Sequence, residues 1–135
     1  TTESAYKASE NLLAPYKAAD GSLKIDGIFC PNESTTFGML RALQDGRQAG
    51  KVKFIGFDSS EQMGAALQAG ELNALVLQDP MNMGYMGVRT MVEHLKKETV
   101  EKRISTGENL VTPENMNDPE MQALLKPDYK KWLDE

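Results

Sequence analysis

Two hydrophobic patterns alternate regularly along the first hundred or so residues of this chain. Four segments place apolar residues at the three- and four-residue spacing of an amphipathic helix, and three short apolar runs are rich in the β-branched and aromatic residues typical of buried strands. Parallel strands require a crossover connection, and a helix usually supplies it. The order helix, strand, helix, strand, helix, strand, helix therefore predicts an α/β fold, a parallel sheet flanked by helices.

The expected limits of these elements follow from the same pattern and from turn residues. The predicted strands are residues 25–30, 52–57 and 72–77, and the predicted helices are 3–16, 34–44, 59–70 and 79–97. Ser59 and Gln62 have the spacing of a capping box, while Gly46 and Gly70 are placed to end two helices in a left-handed conformation. Beyond these, residues 103–106 and 110–112 are expected to be extended, and a polar surface tail begins at Pro113 with one weak helix at 120–125.

Composition narrows the class of protein. Of the 135 residues, 40% are hydrophobic and 26% are charged, which is typical of one soluble globular domain. The formal net charge is −5 and the basic residues are scattered, so we expect no nucleic-acid partner. No run approaches the roughly eighteen apolar residues of a membrane-spanning helix. The first residues do not resemble an export signal, which leaves a cytoplasmic protein, a mature secreted protein or a fragment as alternatives.

One polar side chain follows each predicted strand: Asn32, Asp58 and Gln78. In open parallel sheets, ligands bind beyond the carboxyl ends of the strands, where the next helices also point their N-termini. A carboxylate accepts hydroxyl protons and an amide both donates and accepts, so this set suits a polyhydroxylated ligand. Helix capping is the alternative interpretation, although Asp79 before Pro80 already provides a cap beside Gln78.

Side chains suited to catalysis are scarce. His94, the only histidine, lies far from the strand ends and has no nucleophile near it in sequence, so we expect it to be solvated. Cys30, the only cysteine, ends an apolar run and is expected to be buried and inert. We therefore expect no enzyme activity, no metal and no cofactor, since phosphate and dinucleotide motifs are also missing. The eight methionines are expected to fill the core rather than form an adaptable surface; they include Met81, Met83, Met86 and Met91.

Several segments resemble the type I periplasmic sugar-binding proteins of the ribose-binding class. The run IDGIFCPNE at residues 25–33 is similar to a characteristic segment of that family, and three more follow in the family's order and spacing. These are GMLRALQDGRQAGKVKFIGFDSS, ALQAGELNALVLQDPMNMGYMGV and TGENLVTPENM. The similarity covers roughly residues 3–116.

The resemblance implies a protein in which a sugar is held between two α/β lobes that close about a hinge. By motif, Asn32 resembles the asparagine after the first strand, Asp58 the aspartate of GFD and Gln78 the glutamine before the Asp-Pro turn, and all three contact the sugar in ribose binders. Residues 1–116 would then be an incomplete C-terminal lobe ending in the last hinge segment, and residues 117–135 a polar tail.

The implied partners are a small sugar, the membrane permease of an ABC transporter, and a missing N-terminal lobe or another chain that completes the fold. The implied location is the periplasm. An effector-binding domain of a LacI-type transcriptional regulator is the alternative, because it shares the fold and uses the same closure to move a DNA-binding head. Upstream sequence would separate the two: a signal peptide supports transport and a basic three-helix head supports regulation.

Overall fold

The computed structural model describes residues 1–128 and confirms the predicted alternation. Its helices and strands are α1 (Thr2–Leu13), β1 (Gly27–Phe29), α2 (Glu33–Asp45), β2 (Lys53–Phe57), α3 (Glu61–Gln68), β3 (Ala74–Leu77), α4 (Pro80–Leu95), β4 (Asn109–Val111) and α5 (Pro119–Leu125). A short 3₁₀ helix, Ala14–Tyr16, continues α1 through Pro15. The strands are shorter than the apolar runs that predicted them.

The described strands form one sheet in the order β1-β2-β3-β4. The first three are parallel, with Ile28 opposite Phe54 and Gly56 opposite Leu75. The fourth runs antiparallel to β3 and places Val111 opposite Leu75. This mostly parallel sheet with flanking helices confirms the predicted α/β class.

The hydrophobic core lies on one face of this sheet. Right-handed crossovers place α2 and α3 on the same side of the three parallel strands. Side chains from both helices form one buried cluster with the inward-facing residues Phe54, Leu75 and Val111. The most deeply buried apolar side chains are Leu40, Leu43, Phe54, Met63, Leu67, Leu72, Leu75, Leu77 and Val111.

Helix α1 packs directly on α2 at Gly38. A Cβ at Gly38 would lie 2.7 Å from the backbone nitrogen of Tyr6, so only glycine allows this approach. The Tyr6 hydroxyl donates to Asp45 Oδ2 at 2.8 Å, and this bond and a second one to Glu10 raise the pKa of Tyr6 to about 12. The contact joins the start of the chain to the end of α2.

The opposite face of the sheet is open, which differs from the fully buried strands predicted. Phe29, Ile55 and Leu110 lie on this face and are 59%, 36% and 54% exposed. Their neighbours along each strand point into the core, because successive side chains of a strand alternate between the two faces. Helix α4 is likewise uncovered, since none of its residues is buried. We call the side of the sheet that carries these three exposed side chains the open sheet face.

Several expectations about helix ends and side-chain environments were wrong. Ser60, not Ser59, caps α3, and its hydroxyl accepts a hydrogen bond from Met63 N at 3.3 Å. Gly46 has a right-handed φ of −76°, and Arg47 after it takes the positive φ, whereas Gly70 does adopt the predicted left-handed conformation. Of the eight methionines predicted to fill the core, Met39, Met63 and Met116 are buried in it and Met121 packs against it. The four methionines of α4 lie outside the core, since no residue of that helix is buried: Met81, Met83, Met86 and Met91.

The region after β4 is partly built into the core. Met116 is buried, and α5 packs Met121, Leu124 and Leu125 against the core cluster. Gln122 Nε2 donates to the Met116 carbonyl at 2.6 Å. The weak helix predicted at residues 120–125 is confirmed, but it packs against the core, whereas the prediction placed it in a polar surface tail. The last residues of that tail, 129–135, lie outside the described residues.

Candidate functional site

The backbone turns sharply at Asp58, immediately after β2. Asp58 has a φ of 65°, a left-handed conformation that Asp and Asn tolerate better than most residues. Its backbone nitrogen donates to the Val76 carbonyl at 2.9 Å, and its carboxylate oxygen Oδ2 accepts from the Glu33 backbone nitrogen at 3.3 Å. The turn therefore directs the carboxylate toward the first turn of α2.

Thr36 joins the end of β2 to the start of α2. Its side chain is 0% exposed, and its hydroxyl donates to the Asn32 carbonyl at 2.8 Å while accepting from the Phe57 backbone nitrogen at 3.0 Å. Gly56 leaves the space that Thr36 fills, because a Cβ there would collide with the threonine methyl group. Through this contact Asn32 and Asp58 are held at the same rim of the sheet.

Asn32 has a structural role in this rim. Its Oδ1 accepts from the Thr35 backbone nitrogen at 3.0 Å and caps α2, as the capping interpretation expected. Within residues 1–128 no group accepts a hydrogen bond from the Asn32 amide NH₂. Asp79 caps α4 in the same way, accepting from Asn82 N at 3.0 Å, which confirms that prediction.

Asp58 and Gln78 line one cavity of about 350 Å³. Phe57 pairs with Val76, so the residues that follow these two strands emerge side by side. Gln78 is half-buried, and within residues 1–128 its side chain has no hydrogen-bond partner. The full lining is Asp58, Ser59, Leu77, Gln78, Pro80, Met83, Leu124 and Pro127. Asn32 is not part of this lining; it is linked to Asp58 through the neighbouring Glu33 amide.

Some of these lining residues had no signal in the sequence. Ser59 directly follows Asp58 and Pro80 is two residues after Gln78, so the strand-end argument already indicated their neighbourhood. Leu124 and Pro127 come from α5 and the segment after it, far from the strand ends in sequence. No local pattern marks them, because their position depends on how α5 packs against the core.

A larger cavity, about 540 Å³, lies between α4 and residues 100–106. It is lined mainly by apolar side chains such as Met86, Met91 and Ile104, together with His94. His94 is exposed, as predicted, and no group of three potential metal ligands occurs among the described residues. Its polar lining residues are Thr90, His94, Glu101, Lys102 and Thr106, and they do not lie at the carboxyl ends of the parallel strands.

Cys30, which directly follows β1, is buried, as predicted. Burial raises the pKa of its thiol, since the charged thiolate is poorly solvated there, and a hydrogen bond with Thr35 opposes the shift. The thiol therefore stays neutral near physiological pH. In the part of the chain that the structure covers, no helix has the length and hydrophobicity needed to cross a lipid bilayer.

A cavity at the carboxyl ends of parallel strands, next to helix N-termini, is the arrangement of ligand-binding α/β lobes. Comparison with known proteins identifies the family to which this lobe belongs. A family described as periplasmic binding protein domain matches residues 1–99. The chain therefore belongs to the periplasmic binding protein family, and its resemblance to the type I periplasmic sugar-binding proteins is confirmed.

Individual relatives agree with this assignment. The ribose import binding protein RbsB of Haemophilus influenzae is 34% identical over 96 residues, which are 71% of this chain and 30% of that protein. A solute-binding protein of an ABC transporter from Agrobacterium vitis, solved with D-fucose, superposes with a TM-score of 0.82 at 36% identity, over 93% of this chain and 41% of that one. A carbohydrate-transporter solute-binding protein from Agrobacterium radiobacter, in complex with D-arabinose, superposes with a TM-score of 0.77 at 38% identity, over 89% of this chain and 40% of that one. The chain thus spans well under half of each relative.

Proposed function

We propose that this chain is part of a solute-binding protein that captures a monosaccharide, or a similar small polyhydroxylated solute, for an ABC transporter. The observation that carries the proposal is the cavity shared by Asp58 and Gln78 at the ends of β2 and β3, with Asn32 on the same rim. These residues lie in the region matched by the family, and relatives named above are associated with ribose, D-fucose and D-arabinose.

The chemistry of the three side chains fits sugar hydroxyls. The Asp58 carboxylate accepts hydroxyl protons, and the Gln78 amide offers a donor and an acceptor that no described protein group occupies. Asn32 adds an NH₂ donor while its oxygen caps α2. A sugar hydroxyl both donates and accepts, so a mixed set of this kind satisfies it better than a set of donors alone.

The uncovered surfaces of the lobe support a second part of the proposal, that another lobe or another chain completes the fold. Parallel sheets are normally covered on both faces, yet the open sheet face leaves Phe29, Ile55 and Leu110 exposed. Helix α4 also has no buried residue. Clustered exposed apolar side chains are typical of an interface, and the relatives are more than twice as long as the matched region.

In the complete protein, ligand would favour closure of two lobes about a hinge, because only the closed form contacts the solute from both sides. A membrane permease would recognise that closed form in the periplasm. The relatives named above are import or solute-binding proteins, which favours uptake over the alternative of a transcriptional-regulator effector domain.

Replacement of Asp58 by asparagine tests the site. Asparagine tolerates the left-handed backbone of this position but loses the carboxylate, so Asp58→Asn changes ligand chemistry with little backbone strain. In the full-length protein we expect D58N to weaken sugar binding by about 10- to 100-fold, as expected for losing hydrogen bonds to a charged group. Isothermal titration calorimetry with D-ribose, D-fucose and D-arabinose measures the change.

Asp26→Asn is the matched control. Asp26 is exposed at the opposite end of β1, so this variant removes the same charge away from the strand-end cavity. We expect D26N to bind as the unmodified protein does. Equal affinities for D58N and the unmodified protein would show that Asp58 does not hold the ligand.

A further inference from the structure

We infer that the segment formed by α5 and the residues just after it is part of the ligand site, with Leu124 and Pro127 forming an apolar wall opposite Asp58 and Gln78. The inference rests on the proposed function and extends it to a region for which the strand-end argument predicted no role. It makes Leu124 and Pro127 ligand-contacting residues that influence which sugar is preferred.

The composition of the cavity carries this inference. Asp58, Ser59 and Gln78 provide its polar groups, whereas Leu124 and Pro127 are contributed from the far end of the chain. A volume of about 350 Å³ is at the small end of the range for ligand pockets, which suits a single small solute. Sugars present C–H surfaces as well as hydroxyls, and pockets usually combine an apolar wall with a few well-placed polar groups.

The wall is held by contacts independent of any ligand. Met121 and Leu125 pack against the core cluster together with Leu124. Gln122 donates to the Met116 carbonyl, and the Lys126 backbone nitrogen donates to the Gln122 carbonyl at 2.9 Å. The last bond closes the final turn of α5, and the packing of Met121 and Leu125 together with the Gln122–Met116 bond gives Leu124 a defined position at the cavity.

The location of the wall in the sequence indicates a role in selectivity. Asp58 and Gln78 lie within residues 1–99, the region matched by the family, while α5 lies beyond it. The family match therefore includes the polar groups of the cavity but not its apolar wall. A change in an apolar wall typically alters discrimination between similar ligands by about tenfold.

Leu124→Ala and Leu125→Ala form a matched pair that tests the inference in the full-length protein. Both residues are partly buried on α5 and pack on the core, but only Leu124 lines the cavity. We expect L124A to weaken binding of the tightest-binding sugar among D-ribose, D-fucose and D-arabinose by about tenfold and to change the affinity ratios among the three. L125A should lower the unfolding temperature similarly and leave affinities and ratios unchanged.

Pro127→Ala provides a second variant that does not depend on the packing of α5. Pro127 follows the helix and lines the same cavity, so we expect P127A to weaken binding by about threefold without a large loss of stability. The inference is overturned if L124A, L125A and P127A all bind like the unmodified protein while D58N loses affinity. Failure of the proposed function looks different: D58N then binds normally, or the unmodified protein binds none of the three sugars.

Discussion

Thr36 shows how a single buried hydroxyl can position a binding rim. It accepts from the Phe57 backbone nitrogen and donates to the Asn32 carbonyl, so it satisfies polar groups at the end of β2 and the start of α2 at once. Asp58 follows Phe57 and Glu33 follows Asn32. The Glu33 backbone nitrogen donates to the Asp58 carboxylate and so links the two segments at the rim. The geometry of the candidate site therefore depends on a residue that need not touch the ligand.

Replacement of Thr36 by valine should destabilise the protein by about 1–3 kcal/mol, because the isosteric side chain leaves the Phe57 N–H buried without its partner. Chemical denaturation measures this loss in free energy of unfolding. The control is Thr99→Val, an exposed threonine away from the sheet, which we expect to change stability by less than about 0.5 kcal/mol. Similar small effects for T36V and T99V would contradict the role assigned to Thr36.

At the scale of elements, the packing of α1 on α2 depends on the missing side chain of Gly38. The backbone of α1 at Ala5 and Tyr6 occupies the space where a Cβ would be. Gly64 in α3 has the same helical setting, but a Cβ there would meet no atom within 4 Å. The two glycines thus separate the effect of helix propensity from the effect of interhelical contact.

We expect opposite signs for alanine at these two positions. Gly38→Ala should destabilise the protein by about 1–3 kcal/mol, since overpacking against the α1 backbone exceeds the gain in helix propensity. Gly64→Ala should stabilise the protein by about 0.5–1 kcal/mol, because alanine has the higher helix propensity and its Cβ meets no neighbouring atom there. Thermal unfolding of the two variants measures both effects. Stabilisation by G38A would mean that α1 does not pack as closely as the structure shows.

At the scale of the whole molecule, the proposed completion of the fold is tested at the open sheet face. Phe29 and Leu12 are almost equally exposed in the described chain, at 59% and 61%. Phe29 lies on the open sheet face of β1, whereas Leu12 lies on the solvent side of α1. If another lobe or chain covers the sheet, these two residues have different environments in the complete protein.

Phe29→Ala and Leu12→Ala should therefore differ when made in the full-length protein. We expect F29A to cost about 3–5 kcal/mol, the usual loss for truncating a buried phenylalanine, and L12A to cost less than about 0.5 kcal/mol. Urea denaturation of both variants measures the difference. A loss for F29A as small as that for L12A would show that β1 stays uncovered and would contradict the proposed completion of the fold.

The sequence by itself determined the alternation of elements and the polarity of the sheet. Hydrophobic periodicity is a local property, so the runs around Ile28, Phe54 and Leu75 predicted three parallel strands that the structure contains. Once those strands are parallel, their carboxyl ends share an edge, which is why Asp58 and Gln78 could be predicted to lie near each other. Their role in binding stays a prediction.

Only the tertiary structure decided which surfaces are covered and what completes the cavity. The apolar runs did not reveal that Phe29 and Ile55 face outward, because burial depends on whether a second layer is present. The expected core role of Met86 and Met91 was wrong for the same reason, since no residue of α4 is buried in the described chain. Leu124 reaches the cavity through contacts between segments far apart in the chain, and such contacts leave no periodic trace in a local stretch of sequence.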